Sequence, residues 1–145
     1  MKRKYHFKLV IVALTIFLPL AVFSQCKVIA KKQCMPKIAP YTHNGQINST
    51  ALVAGQTAEL QMTFNSGMEY RILVCAQEVL GKARFKLIDV DKNTVFDSQE
   101  AKFPEYWDFK VGTTQQFTLE VNVPESNSPN AMVQSGCVSV LVGFK

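Results

Sequence analysis

The sequence predicts an all-β domain, an antiparallel sandwich of two sheets with about seven to eight strands, preceded by a signal peptide. Three observations predict it. Short segments alternate apolar and polar residues, turn-forming residues recur about every 8 to 12 positions, and helical periodicity is confined to a turn or two around residues 27–33. A closed barrel is the structural alternative, because it presents the same alternating strands.

Residues 1–24 have the pattern of a secretory signal peptide. Four basic residues precede Leu9, and an apolar run of about 15 residues follows from Leu9 to Phe23. That run is shorter than the roughly 20 residues that a transmembrane helix needs. We expect cleavage after Ser24, and hence export to the periplasm or the extracellular space with no integral membrane segment in the mature chain.

Anchoring through a lipid on Cys26 is the alternative for the N-terminus. The sequence context differs from that of such sites, because Phe23 stands where Leu is usual and Gln25 stands where a small residue is usual.

The mature chain would be one domain. We expect an N-terminal segment with cysteines and a first short strand over residues 25–56, and the body of the sandwich over residues 57–145. Loss of the four basic residues of the signal leaves twelve Lys and Arg against eleven Asp and Glu, a net charge of +1. A nearly neutral domain without a basic stripe is a poor nucleic-acid binder, so nucleic acid is excluded as a partner.

Four cysteines remain after cleavage: Cys26, Cys34, Cys75 and Cys137. An even number in an exported chain predicts two disulfides. Cys75 and Cys137 lie opposite the apolar faces of their strands, which points both of them away from the core. Two schemes stay open: the two strand cysteines bond each other, or each bonds one of the N-terminal cysteines.

Alternation locates the strands. Residues 57–64 and 69–77 are predicted as a hairpin around Asn65, Ser66 and Gly67, and residues 84–90 and 94–98 as a second hairpin. Further strands are predicted at residues 106–111, 116–123 and 136–144, and the last is the most apolar.

The segment from Asp89 to Glu100 spaces its oxygen-bearing side chains like an EF-hand loop. Its sixth position is Thr94 where that loop requires glycine, and no helices flank it. We therefore interpret it as a hairpin turn and expect no cofactor. A weak surface calcium site made by Asp89, Asp91 and Asn93 is the alternative.

An aromatic cluster surrounds the only tryptophan, Trp107. Strand parity places Trp107 and Phe109 in the core and leaves Tyr106 and Asp108 facing outward. With Tyr41 and His43 from the loop before the sandwich, these outward residues are the candidate ligand-binding set.

Catalysis has little support, because His43 is the only mature histidine and no hydrolase, metalloprotease or nucleotide-binding motif occurs. We expect no catalytic residues and no enzyme. A small secreted hydrolase is the remaining enzymatic alternative.

The segments GMEYRILV, FKLID and TVF, followed by the terminal VGFK, resemble small jelly-roll sandwiches of secreted bacterial proteins, including the pre-peptidase C-terminal type. The resemblance covers residues 57–145 and implies a jelly-roll-like, non-catalytic accessory domain, in some cases stabilised by calcium. The expected function is a binding or structural module of the cell envelope or extracellular space, with a protein or glycan partner. A calcium- or carbohydrate-binding module is the alternative.

Overall fold

The computed structural model describes residues 20–126 and 134–145. The predicted signal peptide lies outside the described residues, apart from its last five. Those five residues belong to a helix, α1 (Leu20–Ile29), which continues through a π-helical turn (Ala30–Cys34) and a 3-10 turn (Met35–Ile38).

Eight strands follow in the described part of the chain, so the prediction of an all-β sandwich is confirmed. They are β1 (Thr42–Val53), β2 (Thr57–Phe64), β3 (Glu69–Ala76), β4 (Arg84–Ile88), β5 (Thr94–Asp97), β6 (Tyr106–Lys110), β7 (Gln115–Asn122) and β8 (Ser135–Phe144). A 3-10 turn at Glu78–Leu80 lies between β3 and β4.

The strands form two four-stranded antiparallel sheets. Sheet A has the order β1-β8-β3-β6, and sheet B has the order β2-β7-β4-β5. The edges are therefore β1 and β6 in sheet A, and β2 and β5 in sheet B. The edge strands β1 and β2 therefore lie on one side of the sandwich, and the edge strands β5 and β6 lie on the other.

The core fills the space between the sheets. Period-two alternation sends one side chain in two inward from each strand, and outside β1 most of these residues are aliphatic or aromatic. Its fully buried large members are Phe64, Ile72, Phe85, Leu87, Leu119 and Val123. The most apolar strands are β3 and β8, the two interior strands of sheet A.

The outer face of sheet A carries a second, smaller core. Leu73 and Leu141 are fully buried there because Ala30, Cys34 and Ile38 pack over them. We call residues 25–41 the N-terminal cover. It can approach closely because β8 presents Gly143, where a Cβ would stand only 2.7 Å from Cβ of Tyr41.

The prediction of strand pairing is confirmed for one hairpin and wrong for the other. Strands β4 and β5 pair across the turn at residues 91–93. Strands β2 and β3 do not pair, because β2 pairs with β7 in sheet B and β3 with β8 and β6 in sheet A. Their connection crosses between the sheets. Strand β1 has twelve residues, longer than the short first strand that the sequence predicts.

Candidate binding groove

An open groove runs between the edge strands β1 and β2. It consists of two adjoining cavities of about 420 Å³ and 230 Å³, and both are lined by Asn48 and Leu60. The floor comes from the core strands β7 and β8, including Leu119 and Val140. We call this feature the β1–β2 groove.

The groove is open because β1 supplies polar residues where a sandwich needs apolar ones. Asn48 stands opposite Val140 and Thr50 opposite Val138, on the inner side of sheet A. Neither is an apolar side chain that could bridge to β2.

The inner residues of β2 are consequently left partly exposed. Ala58, Leu60 and Met62 are only partly buried, whereas the residues opposite them on β7 are buried. Apolar surface that faces an open cleft remains accessible to solvent. Ligands of small domains bind in clefts of this kind.

The rim of the groove is rich in side-chain amides. Five line the larger cavity: Asn44, Gln46, Asn48, Gln61 and Asn65. The only charged residue that lines either cavity is Glu59. It stands directly opposite Glu120 on β7, and Lys86 lies 3.9 Å from the Glu120 carboxylate. Within residues 25–126 and 134–145, Glu59 forms no ion pair.

The opposite edge of the sandwich is closed by stacked aromatic rings. The centroids of Phe96 and Trp107 are 4.5 Å apart with nearly parallel planes, and Trp107 stacks on Phe109 at the same distance. Phe109 contacts Phe64 edge to face, so the rings run from β5 and β6 into the core. Trp107 thus packs inward, as predicted. The rings close this edge along β5 and β6, whereas a separate cavity of about 310 Å³ lies beside the β5–β6 connection and is lined by Ala83 and Phe103.

The candidate ligand-binding residues Tyr41, Tyr106 and Asp108 come together on the outer face of sheet A, around Arg71. The Arg71 guanidinium makes two hydrogen bonds of 2.7 Å to the Asp108 carboxylate and donates to the backbone carbonyls of Lys37 and Ala39. Its central carbon lies 4.0 Å from the ring centroid of Tyr106 and 4.8 Å from that of Tyr41.

This arrangement ties the N-terminal cover to the sandwich. The hydrogen bond to Asp108 raises the pKa of Arg71 above its ordinary value, against the opposing effect of burial. Four of the five N–H donors of the guanidinium are occupied within the protein. Sequence reasoning missed Arg71; its only signal was a charged residue on the face of β3 that carries Cys75.

His43 lies beside this cluster but takes no part in it. Its ring nitrogens interact with the Gln46 carbonyl and the Gly45 N–H, both within the bulged start of β1. The imidazole therefore organises a local turn.

Both N-terminal cysteines are joined to strands. Cys26 bonds Cys137 on β8 with a Cα–Cα distance of 5.3 Å, and Cys34 bonds Cys75 on β3 with a Cα–Cα distance of 6.0 Å. Of the two schemes left open by the sequence, the structure has the one that fastens the N-terminal segment across a sheet. A thioether-linked lipid would need the sulfur of Cys26 that the disulfide uses, so the lipid anchor is unsupported.

The predicted calcium candidates Asp89, Asp91 and Asn93 occupy the β4–β5 turn. The Asp89 carboxylate accepts hydrogen bonds from the backbone N–H of Asp91 and of Asn93, and from the Asn93 side chain. The bonds from Asn93 lower the pKa of Asp89. A turn built on Asp-Lys-Asn accounts for these contacts, and the calcium site stays a prediction.

Over residues 20–126 and 134–145, no three His, Cys, Asp or Glu side chains are grouped closely enough to hold a metal ion. The one helix described over the same residues is too short to cross a membrane.

No protein-family model matches the sequence, and no curated protein matches it. The expected likeness to pre-peptidase C-terminal domains is therefore unsupported at the level of that family.

Solved structures do match. The chain is similar to PliG from Aeromonas hydrophila, a periplasmic lysozyme inhibitor of g-type lysozyme, with a TM-score of 0.52 and 7% identity over 73% of this chain and 89% of that chain. A de novo designed double-stranded beta-helix also matches, with a TM-score of 0.31 and 11% identity over 69% of this chain and 99% of that one. At these identities the likeness concerns the fold alone: the chain is a small β-rich domain built like PliG.

Proposed function

We propose that this chain is an exported, non-catalytic binding protein and that its β1–β2 groove receives a protein partner in the periplasm or extracellular space. The observation that carries the proposal is the groove itself. Partly exposed Leu60 and Met62 face an apolar floor beneath a rim of amides.

Export is supported by the signal-peptide pattern and by the cysteines. All four mature cysteines are paired in the structure. Disulfides persist in oxidising compartments and are rare in the cytosol, so this pairing favours a location outside the cytoplasm.

A binding role without catalysis is consistent with the ion pairs that two of the arginines form. Arg71 is engaged by Asp108, and Arg84 is engaged by Asp97. A partly buried ion pair whose groups bond each other stabilises the structure, whereas a catalytic group must be free to contact substrate. The fold shared with PliG, a protein named as an enzyme inhibitor, makes an exported protein a reasonable class of partner.

The test uses a matched pair of variants of the exported protein. Ala58→Arg fills the smaller cavity, and Ala101→Arg places the same side chain on the exposed β5–β6 connection. Each tagged variant is recovered from its native host after mild cross-linking, and co-purifying proteins are quantified by mass spectrometry.

We expect one exported protein to be recovered at least about tenfold less with Ala58→Arg and at the wild-type level with Ala101→Arg. Thermal unfolding checks that both variants are folded. Equal recovery of every partner with the two folded variants would contradict the proposal.

A further inference from the structure

The edge strands on the two sides of the sandwich are not equally protected against pairing with another strand. On the closed side, the edge strands β5 and β6 have only four and five residues. On the open side, β1 and β2 have twelve and eight. A long edge strand exposes a row of unpaired N–H and C=O groups, and proteins usually blunt such edges with short strands, proline, lysine or bulges.

Of the two long edges, β2 is the regular one. It pairs with β7 over eight consecutive residues, from Thr57 opposite Asn122 to Phe64 opposite Gln115, without a register shift. The β1 ladder is interrupted between His43 and Ile47. Strand β2 contains no proline and no lysine, and its one charge is Glu59. It is therefore a template to which another strand can be added.

On the basis of the function proposed above, we propose that the β1–β2 groove takes an extended peptide segment of the partner, which adds as a strand to the free edge of β2. The segment alternates apolar side chains, which enter the two cavities, with outward side chains, one of which is basic and lies beside Glu59.

The dimensions suit alternate residues of a strand. Successive side chains on one face of a strand are about 7 Å apart. The two cavities adjoin at Leu60, with the larger extending toward Phe64 and the smaller toward Ala58. Two inward side chains of one added strand would thus occupy one cavity each, and β2 is long enough to pair with about six to eight residues.

The basic residue of the added segment is inferred from the surroundings of Glu59. It lies on the outer face of sheet B, directly opposite Glu120. Like charges that face each other across a strand pair are unfavourable, and opposite charges are favourable. Lys86 forms its ion pair with Glu120, and Glu59 has no counter-charge among the described residues. A basic residue on an added strand would supply one.

The first test measures charge and alternation with synthetic peptides. Fluorescein-labelled TVKVKVKT is titrated with the mature exported protein, alongside the block peptide TVVVKKKT and the acidic peptide TVEVEVET. We expect the alternating basic peptide to bind at least about tenfold more tightly than either of the others. Glu59→Lys should reverse the preference between the basic and acidic peptides, and the matched exposed variant Glu100→Lys should preserve it.

The second test asks whether the backbone of the peptide pairs with β2. Two forms of TVKVKVKT are N-methylated on alternate sets of amides, so that each form lacks the N–H groups on one edge only. Addition to β2 predicts that one form loses at least about tenfold in affinity, while the other stays within about twofold of the parent. Equal affinities of the two forms would overturn strand addition.

The two proposals fail in different ways. If Ala58→Arg releases the natural partner while the three peptides bind equally or not at all, the groove is the binding site and strand addition is wrong. If Ala58→Arg releases no partner, the proposed function is wrong. Binding of the basic peptide that Glu59→Lys leaves unchanged would overturn the assigned position of the basic residue.

Discussion

Arg71 on β3 and Asp108 on β6 face each other across sheet A, joined by two hydrogen bonds of 2.7 Å. The guanidinium also holds the carbonyls of Lys37 and Ala39, so this pair fastens the N-terminal cover to the sheet. The Arg71 side chain is only 10% exposed, which places the pair among partly buried ion pairs, where loss of one partner is costly.

Removal of either member of this pair should destabilise the domain. We expect Arg71→Met and Asp108→Asn each to lower the free energy of unfolding by about 2 to 4 kcal/mol, because each leaves the other group without its partner. Urea unfolding followed by Trp107 fluorescence measures this. The comparison variant is Lys37→Met, whose exposed ion pair with Glu105 should contribute less than about 1 kcal/mol. A similar small loss at Arg71 would show that the cover is held by other contacts.

Asp97 should make the stability sensitive to acid. The hydrogen bond from Arg84 lowers the pKa of Asp97, while burial opposes that shift. A pKa that is depressed in the folded state contributes stability above the unfolded value of about 4, and this contribution is lost as the pH falls through the folded pKa. We expect the wild type to lose more stability than Asp97→Asn between pH 6 and pH 3. Parallel curves of unfolding free energy against pH would refute this assignment.

Gly143 should tolerate no side chain. A Cβ there would lie 2.7 Å from Tyr41 Cβ and 2.9 Å from Ile38 Cγ1, both in the cover. We expect Gly143→Ala to lower the unfolding free energy by about 1 to 3 kcal/mol. Gly112→Ala is the matched control, because a Cβ at Gly112 meets nothing within 4 Å. Calorimetric melting should separate the two variants, and coinciding melting temperatures would mean that the cover does not pack on Gly143.

The two disulfides should contribute differently to the free energy of unfolding. Loop closure in the unfolded chain predicts about 5 kcal/mol for Cys26–Cys137, which spans 111 residues, and about 4 kcal/mol for Cys34–Cys75, which spans 41. We expect the double Cys→Ser variant of the first pair to be the less stable in urea. The opposite order would indicate that native contacts of the cover, more than chain entropy, set these contributions.

Local sequence signals predicted the strands well and their partners only in part. Asp91 and Asn93 specify a tight turn, and β4 and β5 pair across it. The turn at Ser66 and Gly67 has similar residues but carries the chain from sheet B to sheet A, because the register of both strands is decided by β7 and β8, more than 40 residues away in sequence.

The candidate site was harder to predict than the fold. Parity placed Tyr106 and Asp108 on the outer face, but the residue that unites them, Arg71, becomes buried only when residues 25–41 fold over it. The sequence contains even fewer signals of the groove. Polar Asn48 and Thr50 are ordinary in an edge strand. Only the assembled sandwich shows that they stand opposite Val140 and Val138 and leave Leu60 partly exposed.

The most direct test of the groove is site-specific photo-cross-linking in living cells. A benzophenone amino acid replaces Gln61 at the rim of the groove or, as the control, Val95 on the β5 edge, where the native side chain is 46% exposed. If the β1–β2 groove binds the partner, irradiation yields one discrete adduct from position 61 and none of that mass from position 95. The same adduct from both positions, or an adduct from position 95 alone, would contradict the central claim.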